Sequence, residues 1–163
     1  MYEELINKQK NIAVVGLGYV GLPLALLFSK KYNVIGFDVN DEKISLYKQG
    51  IDITGELPEN SLINSNIYFT SNSEDIKKAS FIVVAVPTPI NDEDNPDFRY
   101  VISASETVGL NLNKGSIVVY ESTVYEMILG SPVNKSVPAI FLIIQKLLSR
   151  ISFSERGDNI SRF

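Results

Sequence analysis

The chain has 163 residues, 15 basic and 19 acidic side chains and a net charge of −4, and it contains no cysteine, histidine or tryptophan. That composition excludes a disulfide framework, thiolate or imidazole metal ligation, a cysteine nucleophile and a histidine base. The acidic balance argues against a nucleic-acid partner, which asks for a basic face, while 45% hydrophobic residues suffice for an ordinary folded core.

The charge is unevenly spread. Residues 1–126 carry 10 basic and 17 acidic side chains, −7 in sum, whereas residues 127–163 carry 5 and 2, or +3. Three of the four arginines, Arg150, Arg156 and Arg162, lie in the last fourteen positions. We therefore place a boundary at Glu126, between a domain over residues 1–126 and an atypical tail over 127–163. The start, Met1-Tyr2-Glu3-Glu4-Leu5, is acidic and lacks the basic and apolar regions of an export signal. The apolar run Val137 to Ile144 is too short to span a bilayer. The expectation is a cytoplasmic protein without a membrane partner.

In chain order, Ile12-Ala13-Val14-Val15 is a continuous apolar run ending in glycine, which predicts a strand buried on both faces. A helix is predicted over 21–31, with Pro23 in its first turn and Lys30-Lys31 at its end. Residues 32–38 read as a second strand. A helix over 41–49 follows, capped by Asn40 or Asp41 and stopped by Gly50. Residues 66–70 read as a short strand, 73–78 as a short helix with a serine cap, and 81–86 as a buried strand cut by Pro87. An acidic loop spans 91–97. It leads into a helix over 98–112, with Asp97 as its cap, and Gly115 then turns the chain into a fifth strand over 116–120. Strands alternating with helices predict an α/β fold, a Rossmann-type doubly wound parallel sheet in a single domain.

Gly16-Leu17-Gly18-Tyr19-Val20-Gly21 is a G-x-G-x-x-G placed directly after a buried strand and before a helix. Gly16 permits the tight turn, Gly18 lets a pyrophosphate approach the backbone, and Gly21 lets helix and strand pack closely. The helix N-terminus offers amide groups and a positive dipole to phosphates. Asp38 ends the second strand 20 residues after Gly18, where a carboxylate bonds the adenosine ribose hydroxyls. It would repel a 2′-phosphate, so NAD is expected rather than NADP. Lys43 lies five residues on, within reach of the same ribose. Tyr19, Tyr120 and Tyr125 are candidates to line the cleft, although strand tyrosines more often pack. Asp92, Glu93, Asp94 and Asp97 lack the spacing and glycine of a calcium loop, so no metal is expected.

The segments Ile12-Ala-Val-Val-Gly-Leu-Gly-Tyr-Val-Gly-Leu-Pro-Leu24, Ala85-Val-Pro-Thr-Pro-Ile90 and Val119-Tyr-Glu-Ser-Thr-Val-Tyr125, in this order, resemble the UDP-glucose/GDP-mannose dehydrogenase family. Their flavour most resembles the branch acting on UDP-N-acetylhexosamines for surface polysaccharides. The resemblance covers residues 10–125, the family's NAD-binding domain. It implies an oxidoreductase that oxidises the sugar C6 alcohol to a carboxylate with NAD, through a thiohemiacetal on a cysteine. It also implies backbone contacts to pyrophosphate from Tyr19 and Val20, and ribose contacts from Asp38 and Lys43. Val86, Pro87 and Thr88, at the end of the fourth strand, would pass the cofactor. Glu121, Ser122 and Thr123 would lie near the nicotinamide, with Thr123 also positioning the hydrolytic water.

Departures are equally informative. The family's middle helical region, second nucleotide-sugar-binding domain and catalytic cysteine have no counterpart in these 163 residues, nor does the proline-glycine pair expected after Tyr125. Residues 137–148 suit an amphipathic helix, with Ile140, Ile144 and Leu147 on one face. Three readings of the tail stay open: a truncated or frame-shifted remnant, a natural short protein whose tail covers the sheet, or a membrane-surface helix. Two functional readings stay open as well. One is the NAD-binding part of a nucleotide-sugar 6-dehydrogenase, truncated and inactive alone; the other is an NAD(H)-binding or sensing module without catalysis. The first would need a nucleotide sugar as partner once the missing domain is supplied, and a homo-oligomer is compatible with either.

Overall fold

Five short runs of β-branched and apolar residues set the architecture. In the computed structural model, which describes residues 2–90 and 96–121, they form β1 (Asn11–Val15), β2 (Asn33–Phe37), β3 (Ile67–Thr70), β4 (Ala79–Val84) and β5 (Ile117–Tyr120). All pairings are parallel, and the sheet order is β3-β2-β1-β4-β5. Helices α1 (Tyr2–Ile6), α2 (Gly21–Ser29), α3 (Asp41–Lys48) and α4 (Arg99–Leu110) accompany it. The α/β, doubly wound fold expected from the pattern is thus present.

Successive side chains of a strand point to opposite faces, and both faces are buried. Ala13, Val15, Ile35, Phe37, Ile82, Val84 and Val118 form one core layer with Ala104 and Val108 of α4. Val14, Val34 and Phe69 form the other, with Leu22 and Ala25 of α2 and Ile44 and Tyr47 of α3. Ile12 to Val15 are at most 3% exposed, which is why β1 reads as an unbroken apolar run instead of an alternation. Each fully buried valine or isoleucine contributes about 1.5–3 kcal/mol.

Local chemistry sets the element ends. Asn40 caps α3 by accepting from the Lys43 amide at 3.0 Å, and Gly50 closes the segment in the left-handed region at φ +81°. Several expectations need correction. The segment Ser73–Lys78 winds as a 3₁₀ helix, and its cap is Asn72, which accepts from the Glu74 amide, not a serine. Helix α2 ends at Ser29, so Lys30 is its cap residue and Lys31 lies beyond. Strand β4 runs from Ala79 to Val84, so Val86-Pro87-Thr88 follows the strand rather than ending it. On the side of β1 the ladder reaches past the strand to the Ala85 amide, bonded to the Val15 carbonyl at 2.8 Å, and Pro87 two residues on has no amide donor to extend it. Asp97 accepts from the Arg99 amide and side chain, but the residue in the cap position of α4 is Phe98, without a side-chain bond. Helix α1 and the turns over 51–65 were not anticipated.

Buried Asp75 fastens the 3₁₀ segment. It accepts from the Thr70 hydroxyl at 2.7 Å and from Lys78 Nζ at 2.5 Å. The bond from Lys78, then that from Thr70, holds its carboxyl below the usual range against the opposing effect of burial. A depressed folded pKa stabilises the fold fully above the unfolded value of about 3.9, and that stability is lost as pH falls through the folded value. Urea melts should therefore show Asp75→Asn losing about 1–3 kcal/mol at neutral pH, with a shallower decline than wild type from pH 5 down to pH 3. Equal acid limbs would show that Asp75 contributes nothing.

Among the described residues no helix is long and apolar enough to cross a membrane. The tail over 127–163, with its expected helix over 137–148, lies outside the described residues, as do Asp92, Glu93 and Asp94.

Candidate functional site

The strand order reverses between β1 and β4, and a doubly wound sheet opens a crevice at the carboxyl ends of its strands at that point. The residues after each strand are held at this edge by continued ladder bonds. The Gly16 amide donates to the Phe37 carbonyl at 2.8 Å, the Asp38 amide to Thr70 at 3.2 Å, and the Glu121 amide to Val84 at 2.8 Å. The structure thus brings Gly16 to Gly21, Asp38, Val86 to Thr88 and Glu121 to one side of the sheet.

The three glycines are required for three different reasons. Gly16 has φ +91°, and a Cβ there would lie 2.9 Å from the Ala85 carbonyl oxygen. A Cβ on Gly21 would lie 1.8 Å from the Gly16 carbonyl oxygen, so only glycine lets α2 start against the turn. A Cβ on Gly18 would meet no protein atom within 4 Å. The space beside it is open, so glycine there answers no protein neighbour and leaves room for a ligand to approach the backbone.

Asp38 is the electrostatic centre. It is 7% exposed and buried among backbone groups. Its Oδ2 accepts from the Leu17 amide at 2.9 Å and from Lys43 Nζ at 2.8 Å, and its Oδ1 accepts from the Asn40 amide at 3.1 Å. A carboxylate has about four acceptor positions, so capacity remains for a hydroxyl. Lys43 Nζ has three protons, of which Asp38 takes one. Asp38 and Lys43, both expected at the ribose, therefore pair with each other.

No side chain caps the start of α2 at Val20; in its first turn the Leu22 amide donates to the Gly18 carbonyl at 3.1 Å and Pro23 carries no N–H, which leaves the Gly21 amide and the helix dipole to meet an anion. Tyr19 and Val20 are exposed at 71% and 53%. Tyr120 points elsewhere: its hydroxyl lies 2.7 Å from Ser105 Oγ, tying β5 to α4. Glu121 is exposed. Ser122, Thr123 and Tyr125 lie outside the described residues. Asp97 forms an ion pair with Arg99 at 2.6 Å. Among the described residues no group of acidic side chains could hold a metal.

Sequence reasoning missed one contributor. The Tyr47 hydroxyl, from the last turn of α3, donates to the Leu17 carbonyl at 2.7 Å. Nothing in the local pattern distinguishes Tyr47 from an ordinary core residue of an amphipathic helix.

The uncapped helix start, the side-chain-free approach at Gly18 and the carboxylate at the end of β2 fit a dinucleotide. Comparisons with known proteins agree. The family model described as UDP-glucose/GDP-mannose dehydrogenase family, NAD binding domain, matches residues 10–136, ending ten residues past the boundary placed at 126. Protein CapL of Staphylococcus aureus is 53% identical over 131 residues, covering 80% of this chain and 30% of the relative. UDP-N-acetyl-D-glucosamine 6-dehydrogenase of Salmonella typhi is 53% identical over 115 residues, covering 70% and 27%. The solved structure of UDP-D-ManNAc dehydrogenase from Pyrococcus horikoshii matches with a TM-score of 0.64 at 33% identity, over 70% of this chain and 28% of that one. The chain thus spans about 30% of the length of the curated relatives it matches.

Proposed function

The chain belongs to the UDP-glucose/GDP-mannose dehydrogenase family and carries its NAD-binding domain, and from this we propose that it is the cofactor-holding part of a UDP-N-acetylhexosamine 6-dehydrogenase of polysaccharide biosynthesis. The observation that carries the cofactor assignment is the pairing of an open Gly18 turn with a buried Asp38 one strand away. In this reading the backbone of Tyr19 and Val20, at the start of α2, holds the pyrophosphate. Asp38 accepts from the adenosine ribose, and Lys43 holds the carboxylate in place through its 2.8 Å bond. Gly16 and Gly21 let the turn form. Val86, Pro87 and Thr88 pass the cofactor, and Glu121, Ser122 and Thr123 lie towards the nicotinamide, where Thr123 positions water. Bound NAD supplies a hydride acceptor. The hexosamine assignment is supported by relatives whose names specify UDP-N-acetyl-D-glucosamine and UDP-D-ManNAc.

The chain alone holds NAD without oxidising a sugar. The chemistry implied by the family resemblance runs through a thiol, and this sequence has no cysteine. Its domain ends near residue 126, its place of work is the cytoplasm, and a nucleotide sugar binds only when a second domain is supplied. An NADH-absorbance assay with UDP-N-acetylglucosamine and NAD should show no turnover above the protein-free rate. Robust turnover would overturn the reading and place a catalytic group within these residues.

A further inference from the structure

The turn that meets the cofactor is held from behind before any ligand arrives. Leu17, between Gly16 and Gly18, is fully buried. Its amide donates to Asp38 Oδ2 at 2.9 Å and its carbonyl accepts from the Tyr47 hydroxyl at 2.7 Å, so both polar groups of one residue are anchored by side chains from different elements. Tyr47 is itself 1% exposed, and its ring packs on Phe69 with centroids 5.6 Å apart. Burial, then the nearby Asp38 and Asp52 charges, push its hydroxyl well above the usual tyrosine range, so it stays protonated. A protonated phenol facing a carbonyl oxygen can only donate.

Peptide planarity turns this anchor into a directional device. The Leu17 carbonyl and the Gly18 amide belong to one trans peptide unit, in which C=O and N–H point in opposite directions. Fixing the carbonyl on Tyr47 therefore fixes the Gly18 N–H in the opposite direction, away from the Tyr47 hydroxyl. Holding a binding element in its bound conformation reduces the ordering cost of association.

We propose that Tyr47 is a positioning residue for NAD binding, its hydroxyl orienting the Leu17–Gly18 peptide through the Leu17 carbonyl without touching the ligand. The assignment rests on the NAD reading above. It predicts that Tyr47→Phe, which keeps the ring and its packing, loosens the turn and weakens NAD binding.

The test uses the full 163-residue chain at a temperature where circular dichroism shows every variant folded. Val108→Ala is the control, since Val108 is buried in the opposite core layer and its loss lowers stability without reaching the turn. Calorimetric titration with NAD should show Tyr47→Phe binding about five- to tenfold more weakly than wild type and Val108→Ala within about twofold. In the ligand-free chain, amide hydrogen exchange at Leu17 and Gly18 should quicken about fivefold or more in Tyr47→Phe and stay unchanged in Val108→Ala. NAD affinity of Tyr47→Phe within about twofold of wild type, or equal losses in both variants, would overturn the assignment. Failure of the wild-type chain to bind NAD would overturn the NAD reading and the assignment with it, whereas binding by wild type and Tyr47→Phe alike would overturn the assignment only.

Discussion

Gly21→Ala is expected to cost about 3 kcal/mol or more, lowering Tm by roughly 10 °C, and to abolish NAD binding. The added Cβ would lie 1.8 Å from the Gly16 carbonyl oxygen and 3.3 Å from Ala85 Cβ. The first neighbour is backbone and cannot rotate away. Gly16 cannot retreat, because its φ of +91° and its amide bond to Phe37 hold it in place. Relief requires α2 to move off β1, which opens the core layer of Leu22, Ala25 and Val14. Thermal melts followed by circular dichroism check the stability loss. Gly18→Ala is the contrast, since its Cβ meets no protein atom. It should lose less than about 1 kcal/mol of stability while still impairing NAD binding. If Gly21→Ala melted like wild type, the close approach of α2 to the glycine turn would be refuted.

Asp38→Ala is expected to weaken NAD binding by about 30- to 100-fold, because it removes a charged acceptor from the ribose and the anchor of the Leu17 amide together. The anchor is visible in the three donors that converge on the carboxylate, from Leu17, Asn40 and Lys43. Removing the carboxylate leaves Lys43 without its partner beside a buried backbone amide. A stability loss of about 1–3 kcal/mol should accompany the loss of affinity. Lys43→Ala separates the two roles. It removes one donor from Asp38 but leaves the Leu17 bond, so its effect on NAD should be smaller, about three- to tenfold. Affinities of the two variants that matched would assign the ribose contact to the ion pair as a unit and contradict a direct role for Asp38.

The parts of the fold legible in the sequence are those whose physics is local or strongly periodic. β1 and β4 announce themselves because strands buried on both faces need unbroken apolar runs, as in Ile12 to Val15 and Phe81 to Val84. The cap of α3 is legible because Asn40 bonds an amide three residues away. Residues 51–65 were not legible. They carry no apolar period, and their order comes from Asp52, which accepts from the Thr54 and Leu57 amides, and from buried Leu62. The 3₁₀ winding of Ser73–Lys78 was missed because buried Asp75 selects it through Thr70 on β3.

The same division runs through the site. Gly16, Gly18, Gly21 and Asp38 are readable because their spacing follows from the strand-turn-helix-strand path. The pairing of Asp38 with the Leu17 amide spans 21 residues, and that of Tyr47 with the Leu17 carbonyl spans 30. Both depend on β2 and α3 folding back beside the turn, which no local spacing announces.

Titration calorimetry of the full chain with NAD and, separately, with NADP tests the central claim most directly. A carboxylate at the end of β2 should bind NAD while disfavouring a 2′-phosphate by at least about tenfold. No heat of binding with NAD, or equal affinity for the two dinucleotides, would contradict it.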